Sequence, residues 1–272
     1  MRGSHRWLRP GVRATVLSAP QRTFVPRASC VTARVVLLLG LFALSAALRG
    51  QTDSSANDGR YVPEVARQAA AEGNAAFARG DFEGARSAYL KVIDLAPDNL
   101  LGLINLGVVE YSLKKFEEAE AHLKRAVQIK LDAAPAWLTL GIIYLDQNRL
   151  DEALAALAQA TLYDPRNPRA RNYLGVVVGR KGWIDGAQVE LRRAVEIDPN
   201  YSDAHYNLAV FYLEARPPST ELARRHYFRA IELGADPDPE IEQSLKASTP
   251  SPSPSPTAKP AGKSPAKKPA SR

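Results

Sequence analysis

The sequence is very poor in cysteine, with one such residue among 272. That residue, Cys30, lies in a basic segment near the start, so the rest of the chain has no thiol. This distribution excludes a disulfide framework, a cysteine-ligated zinc site and thiol catalysis in the part of the chain that is expected to fold. A chain without internal thiols is also suited to an oxidising compartment.

Acidic residues are missing from both ends of the chain. Residues 1–50 carry eight arginines and no acid, and residues 247–272 carry five basic residues and no acid. The central part, 51–246, therefore has 23 basic and 29 acidic residues, although the whole chain has a net charge of +7. A folded part with a net negative charge lacks the basic surface that would bind the phosphates of a nucleic acid, so we expect no nucleic-acid binding there.

A hydrophobic run near the start is too short to span a membrane as a helix. Residues 35–48 are apolar or small, whereas a spanning helix needs about 20 such residues. A run of this length, followed by small residues, is typical of a signal peptide. We predict a basic leader with a signal peptide over 1–50, cleaved between Ala46 and Gln51, and export to the periplasm or cell envelope. An uncleaved membrane anchor is the alternative, and we expect translation to begin near Val31.

The end of the chain lacks leucine, isoleucine, valine and aromatic side chains. Residues 247–272 are instead rich in proline, serine, lysine and alanine, which predicts a disordered tail. Its basic residues could contact an anionic surface, and a merely solubilising role is an equally good interpretation. Residues 51–62 are predicted to form a linker before a folded domain at 63–246.

Small residues recur at intervals of 34 along the central part of the chain. Within each unit, two amphipathic stretches are separated by a short turn, as the three- and four-residue steps of Trp137, Leu140 and Tyr144 illustrate. We interpret each unit as a pair of helices that approach closely at its small residues. The residues that define the repeat are Gly73, Gly107, Gly141, Gly175, Ala85, Ala119, Ala153, Ala187, Ala223, Pro97, Pro165 and Pro199.

The unit resembles the tetratricopeptide repeat, and its third copy carries almost the whole motif of that family. There the motif reads Trp137, Leu140, Gly141, Tyr144, Ala153, Leu157 and Pro165. The resemblance covers about 64–235 and implies an all-α, right-handed superhelical solenoid of about five helix–turn–helix repeats, of the exported bacterial type. The predicted repeats are 66–99, 100–133, 134–167, 168–201 and 202–237, with a capping helix at 238–246.

In this family the first helix of each unit lines a concave groove, which implies that the groove binds a peptide or protein segment here. The sequence leaves open the alternative that Val108, Ile142, Val176 and Val210 only pack between adjacent first helices. On the family analogy the predicted peptide-binding groove carries Asn74, Ile104, Val108, Tyr111, Leu138, Ile142, Leu145, Asn172, Val176, Tyr206 and Val210.

Some relatives grip a C-terminal carboxylate with basic residues, but Ala70, Pro135 and Thr139 stand at the places that would be needed. We therefore do not expect that binding mode. We also expect no catalytic residue, metal, cofactor or small-molecule substrate, because the histidines have no paired ligand spacing.

The sequence as a whole thus predicts a non-catalytic protein–protein interaction scaffold in the cell envelope. Two alternatives are an accessory subunit of an enzyme and a cytosolic nucleic-acid-associated protein that uses its basic tail.

Overall fold

The computed structural model describes residues 63–247, in which eleven α-helices and no β-strand occur. The all-α prediction is therefore confirmed, whereas the predicted leader, linker and tail lie outside the described residues, apart from Ala247. In chain order the helices are α1 (Glu64–Ala78), α2 (Phe82–Leu95), α3 (Leu100–Ser112), α4 (Phe116–Ile129), α5 (Ala134–Asp146), α6 (Leu150–Tyr163), α7 (Pro168–Arg180), α8 (Ile184–Ile197), α9 (Ser202–Glu214), α10 (Thr220–Glu232) and α11 (Pro239–Ala247).

The short turn inside each of the first four pairs has the same backbone geometry. The residue at the turn has a positive φ in all four, with values of 77° at Gly80, 59° at Lys114 and Asn148, and 88° at Gly182. Glycine adopts this conformation without cost and asparagine tolerates it, whereas a lysine there is strained by about 1 kcal/mol. The turn geometry is thus imposed by helix packing rather than by one residue type.

Polar side chains mark where several helices begin. The Asp81 carboxylate accepts a hydrogen bond from the Gly84 N–H at 2.9 Å at the start of α2. The Asn99 side chain accepts from the Gly102 N–H at 2.8 Å at the start of α3. Each cap satisfies a backbone donor that has no partner within its helix, which contributes about 1 kcal/mol.

The two helices of a pair meet at the recurring glycines. A Cβ atom on Gly107 would lie 2.5 Å from Cγ of Leu123, and one on Gly175 would lie 2.7 Å from Cγ of Leu191. These distances are far below van der Waals contact, so only a hydrogen fits at these positions. The predicted close approach of the paired helices is therefore observed.

The hydrophobic core lies between the helix pairs and is covered at its C-terminal end by α11. Ile241 and Leu245 of α11 are buried against the last pair. The Tyr227 hydroxyl links the two elements, because it accepts a hydrogen bond from the Asp238 N–H at 2.7 Å. The final helix thus covers apolar surface that stacking with a further unit would otherwise bury.

A buried carboxylate occurs in the second unit where the third and fifth units have tyrosine. Glu110 is fully buried and occupies the repeat position of Tyr144 and Tyr212. Its carboxylate accepts from Nε of Arg86 at 3.2 Å and lies 2.7 Å from Nδ1 of His122. Since these partners stand on α2 and α4, the carboxylate on α3 connects three consecutive helices.

Candidate functional site

The first helices of successive pairs form the inner face of the stack. Helix α3 contacts α5, α5 contacts α7, and α7 contacts α9, in addition to the contacts within pairs. No comparable packing between second helices appears in residues 63–247. A stack whose first helices touch while its second helices stand apart curves towards the first helices. We call the inner surface of α1, α3, α5, α7 and α9 the concave face.

Most of the predicted groove residues are buried by packing within the concave face. Six of them retain 6–8% exposure: Ile104, Val108, Tyr111, Leu138, Leu145 and Val210. Asn172 is also buried, whereas Asn74, Val176 and Tyr206 are partly exposed. The predicted apolar residues therefore form a floor whose side chains present only their outer atoms to solvent.

Residues at the same repeat position are not equally accessible. Ile142 is 1% exposed and belongs to the hydrophobic core. Val176, one repeat later, is partly exposed. A partner could contact Val176 directly, whereas it could not contact Ile142 without displacing other side chains.

One exposed apolar side chain beside this floor was not among the predicted residues. Leu101 is 64% exposed and precedes Ile104 by three residues and Val108 by seven, which places the three on one face of α3. The three- and four-residue spacing could have revealed it. Leu101 adds to the concave face an apolar side chain that is mostly free to meet a partner.

Hydrogen bonds fix the polar groups of the concave face. The Asn207 side-chain amide donates to Oδ1 of Asn172 at 2.9 Å, which joins α9 to α7. The Tyr111 hydroxyl donates to Oδ2 of Asp146 at 2.8 Å, which joins α3 to α5. Asn74 accepts from the Tyr89 hydroxyl at 2.6 Å. The first two bonds connect neighbouring first helices, and the third joins α1 to α2 within one pair.

Arg169, at the start of α7, was also missed by the sequence reasoning. It occupies the repeat position of Arg67, which pairs with Glu64 three residues earlier at 2.6 Å. The residue three before Arg169 is Arg166, another cation. The acid three residues before Arg67 and the cation three residues before Arg169 could have shown from the sequence that Arg169 lacks the local ion pair of Arg67.

A pair of histidines forms a second polar cluster near the C-terminal end. Nδ1 of His205 lies 2.9 Å from Nδ1 of His226, and Nε2 of His205 lies 3.1 Å from the Pro199 carbonyl oxygen. Burial lowers the pKa of both rings, and that of His226 falls to about 4. The pair borders an open cavity of about 420 Å³ that also includes Phe228. His205 on α9 thus contacts His226 on α10.

Metal-binding and membrane-spanning features were searched for within residues 63–247. No group of three or more His, Cys, Asp or Glu side chains there is placed to hold a metal ion. None of the helices there combines the length and apolar character that crossing a membrane demands.

A stack of paired helices with small residues at each crossing defines an α-helical repeat protein. Family models of the tetratricopeptide repeat match residues 70–136, 110–175 and 190–232. The chain is a tetratricopeptide repeat protein, and its fold is that of a protein–protein interaction scaffold. Among curated proteins, none matches the chain significantly.

Solved structures of tetratricopeptide repeat proteins share this architecture. A crystal structure of MamA is 26% identical, with a TM-score of 0.52, and the match covers 59% of this chain and 93% of that one. MamA from Desulfovibrio magneticus RS-1, residues 41 to the end, is 18% identical, with a TM-score of 0.56 and coverage of 64% and 97%. YrrB, described as a TPR protein with an unusual peptide-binding site, is 22% identical, with a TM-score of 0.52 and coverage of 68% and 97%. The latter two matches show the common fold alone.

Proposed function

We propose that the chain binds a peptide or a segment of another protein along its concave face. The observation that carries this proposal is the exposed Leu101 beside the apolar floor of Ile104 and Val108. A solvent-exposed leucine continuous with an apolar surface is typical of a binding site, because its burial by a partner contributes about 1.5–3 kcal/mol.

The arrangement of polar groups supports an extended or helical ligand rather than a small molecule. The concave face runs across five first helices and has amide side chains at intervals, among them Asn74, Asn105 and Asn207. Asn105 and Asn207 are partly exposed. Such a surface offers apolar contact to alternate side chains of a segment and hydrogen bonds to its backbone.

A pair of matched variants tests the proposal. Leu101 on α3 and Leu162 on α6 are equally exposed, at 64% each, but Leu162 stands on a second helix, outside the concave face. Short random peptides are selected for binding to the full chain, and the selected peptides are titrated against wild type, Leu101→Glu and Leu162→Glu by fluorescence anisotropy. We expect Leu101→Glu to weaken binding by about tenfold or more and Leu162→Glu to leave it unchanged.

Two results would contradict peptide binding at the concave face. One is that no peptide is selected at all, and the other is that Leu101→Glu and Leu162→Glu bind the selected peptides equally well. Because both leucines are exposed, neither substitution places a charge in the core, and circular dichroism checks that the helical content is kept. Val176→Glu supplies a second variant on the same face.

We further propose that this binding takes place in the cell envelope, on the strength of the predicted signal peptide. The test is the N-terminal sequence and intact mass of the native chain from fractionated cells. A chain that starts between Ala47 and Gln51 in an envelope fraction is expected. An uncleaved chain in the cytosol would contradict export and favour the alternative in which the basic tail contacts nucleic acid.

A further inference from the structure

A cavity opens between the second helices α8 and α10, outside the concave face. Its volume is about 420 Å³, and its lining includes Val195 of α8, Pro199 before α9, and Arg225 and Phe228 of α10. The histidine pair described above also borders it. We call it the α8–α10 cavity, and the proposed function makes no use of it.

Apolar side chains in the α8–α10 cavity are accessible to solvent. Phe228 is 51% exposed, Pro199 is exposed and Val195 is partly exposed. The Phe228 ring packs edge-on against the ring of Tyr227 at a centroid separation of 5.6 Å, which covers only part of its apolar surface. An accessible aromatic ring beside further apolar surface is typical of a contact site, because aromatic side chains contribute much of the binding energy of interfaces.

A cation without an ion-pair partner lies on the same face of α10. Arg225 is exposed and precedes Phe228 by three residues, so the two side chains are neighbours on the helix surface. Arg229, which follows one turn later, pairs with Glu232 at 3.0 Å. Arg225, in contrast, has no ion pair or hydrogen bond within the described part of the chain. Its guanidinium is therefore available to a partner.

The histidine pair adds no charge to the cavity in neutral solution. Burial lowers the pKa of both rings, and that of His226 falls to about 4, so each ring is uncharged. Asp198 opposes the lowering of the His205 pKa, but it is not part of the cavity lining. Since the other arginine of the lining pairs with Glu232, Arg225 gives the described lining one uncompensated positive charge.

We propose that the α8–α10 cavity is an interaction site for a segment of a partner protein in which an acidic side chain flanks an apolar one. The apolar side chain packs against Phe228, Val195 and Pro199. The neighbouring carboxylate accepts charge-assisted hydrogen bonds from the Arg225 guanidinium. Because this site lies on second helices and the proposed peptide-binding surface lies on first helices, the two proposals are independent.

The shape and the charge of the cavity favour this class of partner over others. The cavity is open to solvent, whereas a site for a small molecule usually buries most of its ligand. A protein segment gains further contacts around the rim and so needs less enclosure. A basic segment would be repelled by Arg225. A purely apolar segment would cover the guanidinium without giving it an acceptor, which is costly.

The experiment titrates short capped peptides into the isotopically labelled full chain and follows the ring signals of Phe228 and His226 by NMR. The peptides share a Gly-Ser backbone and differ in their centre, which is Glu-Phe-Glu, Gln-Phe-Gln, Lys-Phe-Lys or Glu-Gly-Glu. We expect saturable shifts with the Glu-Phe-Glu peptide. The affinity should fall about threefold or more when the acids are neutralised or the ring is removed, and furthest when the acids become lysines.

Matched variants locate the binding. Arg225→Gln should weaken the Glu-Phe-Glu peptide by about threefold or more and reduce its preference over Gln-Phe-Gln. Arg193→Gln removes the same charge from the neighbouring second helix, where Arg193 pairs with Glu190 at 2.6 Å, and should leave the affinity unchanged. Phe228→Ala should weaken both phenylalanine peptides. Since Arg225 and Phe228 are exposed, their replacement should preserve the fold, and dispersion of the amide spectrum checks this.

The proposal is overturned if the Glu-Phe-Glu peptide gives no saturable shift, if the Lys-Phe-Lys peptide binds equally well, or if Arg225→Gln binds as tightly as wild type. It is also overturned if the same signals shift with protein concentration alone, since a second copy of the chain would then occupy the cavity. Leu101→Glu should bind the Glu-Phe-Glu peptide at this cavity as well as wild type does. Failure at the concave face and failure at the α8–α10 cavity are therefore distinguishable.

Discussion

A Cβ atom on Gly141 would lie 2.4 Å from Cγ of Leu157, on the facing helix of the same pair. Cγ is the branch point of the leucine side chain and cannot swing away as a flexible end could. Leu157 is itself fully buried. The contact between α5 and α6 therefore depends on the absence of a side chain at one position and the presence of a branched one opposite.

Gly141→Ala should destabilise the protein, although alanine is the better helix former. The gain in helix propensity is about 1 kcal/mol, whereas forcing a methyl group into a packed contact costs about 1–3 kcal/mol and more where backbone must shift. We expect a net loss of about 1 kcal/mol or more in the free energy of unfolding, measured by urea denaturation.

The double variant Gly141→Ala with Leu157→Ala tests the cause. Removing the leucine side chain alone should cost about 2–5 kcal/mol, because it leaves a cavity. In the double variant the added methyl group finds room, so the loss should be smaller than the sum of the two single losses. Additive losses would show that the two residues do not compete for the same space.

Glu110→Gln should weaken the connection between α2, α3 and α4. The substitution keeps the shape of the side chain but removes the negative charge that faces Arg86 and His122. Because these partners are partly exposed and can be hydrated, we expect a loss of about 1–2 kcal/mol in urea denaturation rather than the larger cost of stranding a fully buried charge. Glu117→Gln, exposed in the first turn of α4, is the control and should change stability by less than about 0.5 kcal/mol. Equal effects of the two substitutions would contradict a stabilising role for the buried carboxylate.

The histidine pair should make stability depend on pH. Nε2 of His205 donates to the Pro199 carbonyl oxygen, so in the neutral ring Nδ1 accepts from Nδ1–H of His226. Burial, followed by the charges of His205 and Arg225, lowers the pKa of His226 from 6.5 to about 4. The unfolded chain therefore binds more protons than the folded one between these values, and stability falls as the pH falls through this range.

We expect this histidine to account for a loss of about 2 kcal/mol in the free energy of unfolding between pH 7 and pH 4.5. His226→Gln carries no charge at either pH and should lose less over the same interval, as measured by urea denaturation at a series of pH values. Parallel curves for wild type and His226→Gln would show that the pair is not the source of the pH dependence.

Arg169→Met should lower stability. The Arg169 guanidinium hydrogen bonds to the Tyr173 and Tyr201 hydroxyls, and methionine would leave both hydroxyls without that donor, so we expect a loss of about 1–2 kcal/mol in chemical denaturation. Arg67→Met, at the equivalent position but exposed, should change stability by less than about 0.5 kcal/mol. Equal effects of the two substitutions would contradict a structural role for Arg169.

Much of the architecture could be predicted because small residues recur at fixed positions of the repeat. The glycine series marks positions where two helices of a pair touch, and such contacts depend on residues 16 apart in sequence, as with Gly141 and Leu157. Local spacing of this kind is visible in one sequence. The helix pairs and the close approach at Gly107 and Gly175 follow from it directly.

Accessibility within the candidate site could not be predicted in the same way. Ile142 and Val176 have the same position in successive units, yet Ile142 is buried and Val176 is partly exposed. The difference comes from the side chains that adjacent first helices bring to each position. Those neighbours are far apart in sequence and differ from unit to unit.

The period, the helix pairs and the packing side of each helix follow from residue size and spacing within one unit, so they can be read from the sequence. Which inner side chains stay accessible and which charges find partners depends on how the units stack. Arg67 and Arg169 share a repeat position, but one is exposed and paired with Glu64 while the other carries a buried nitrogen without a partner. Burial and charge pairing depend on the side chains of the neighbouring units, and the repeat pattern does not specify those side chains.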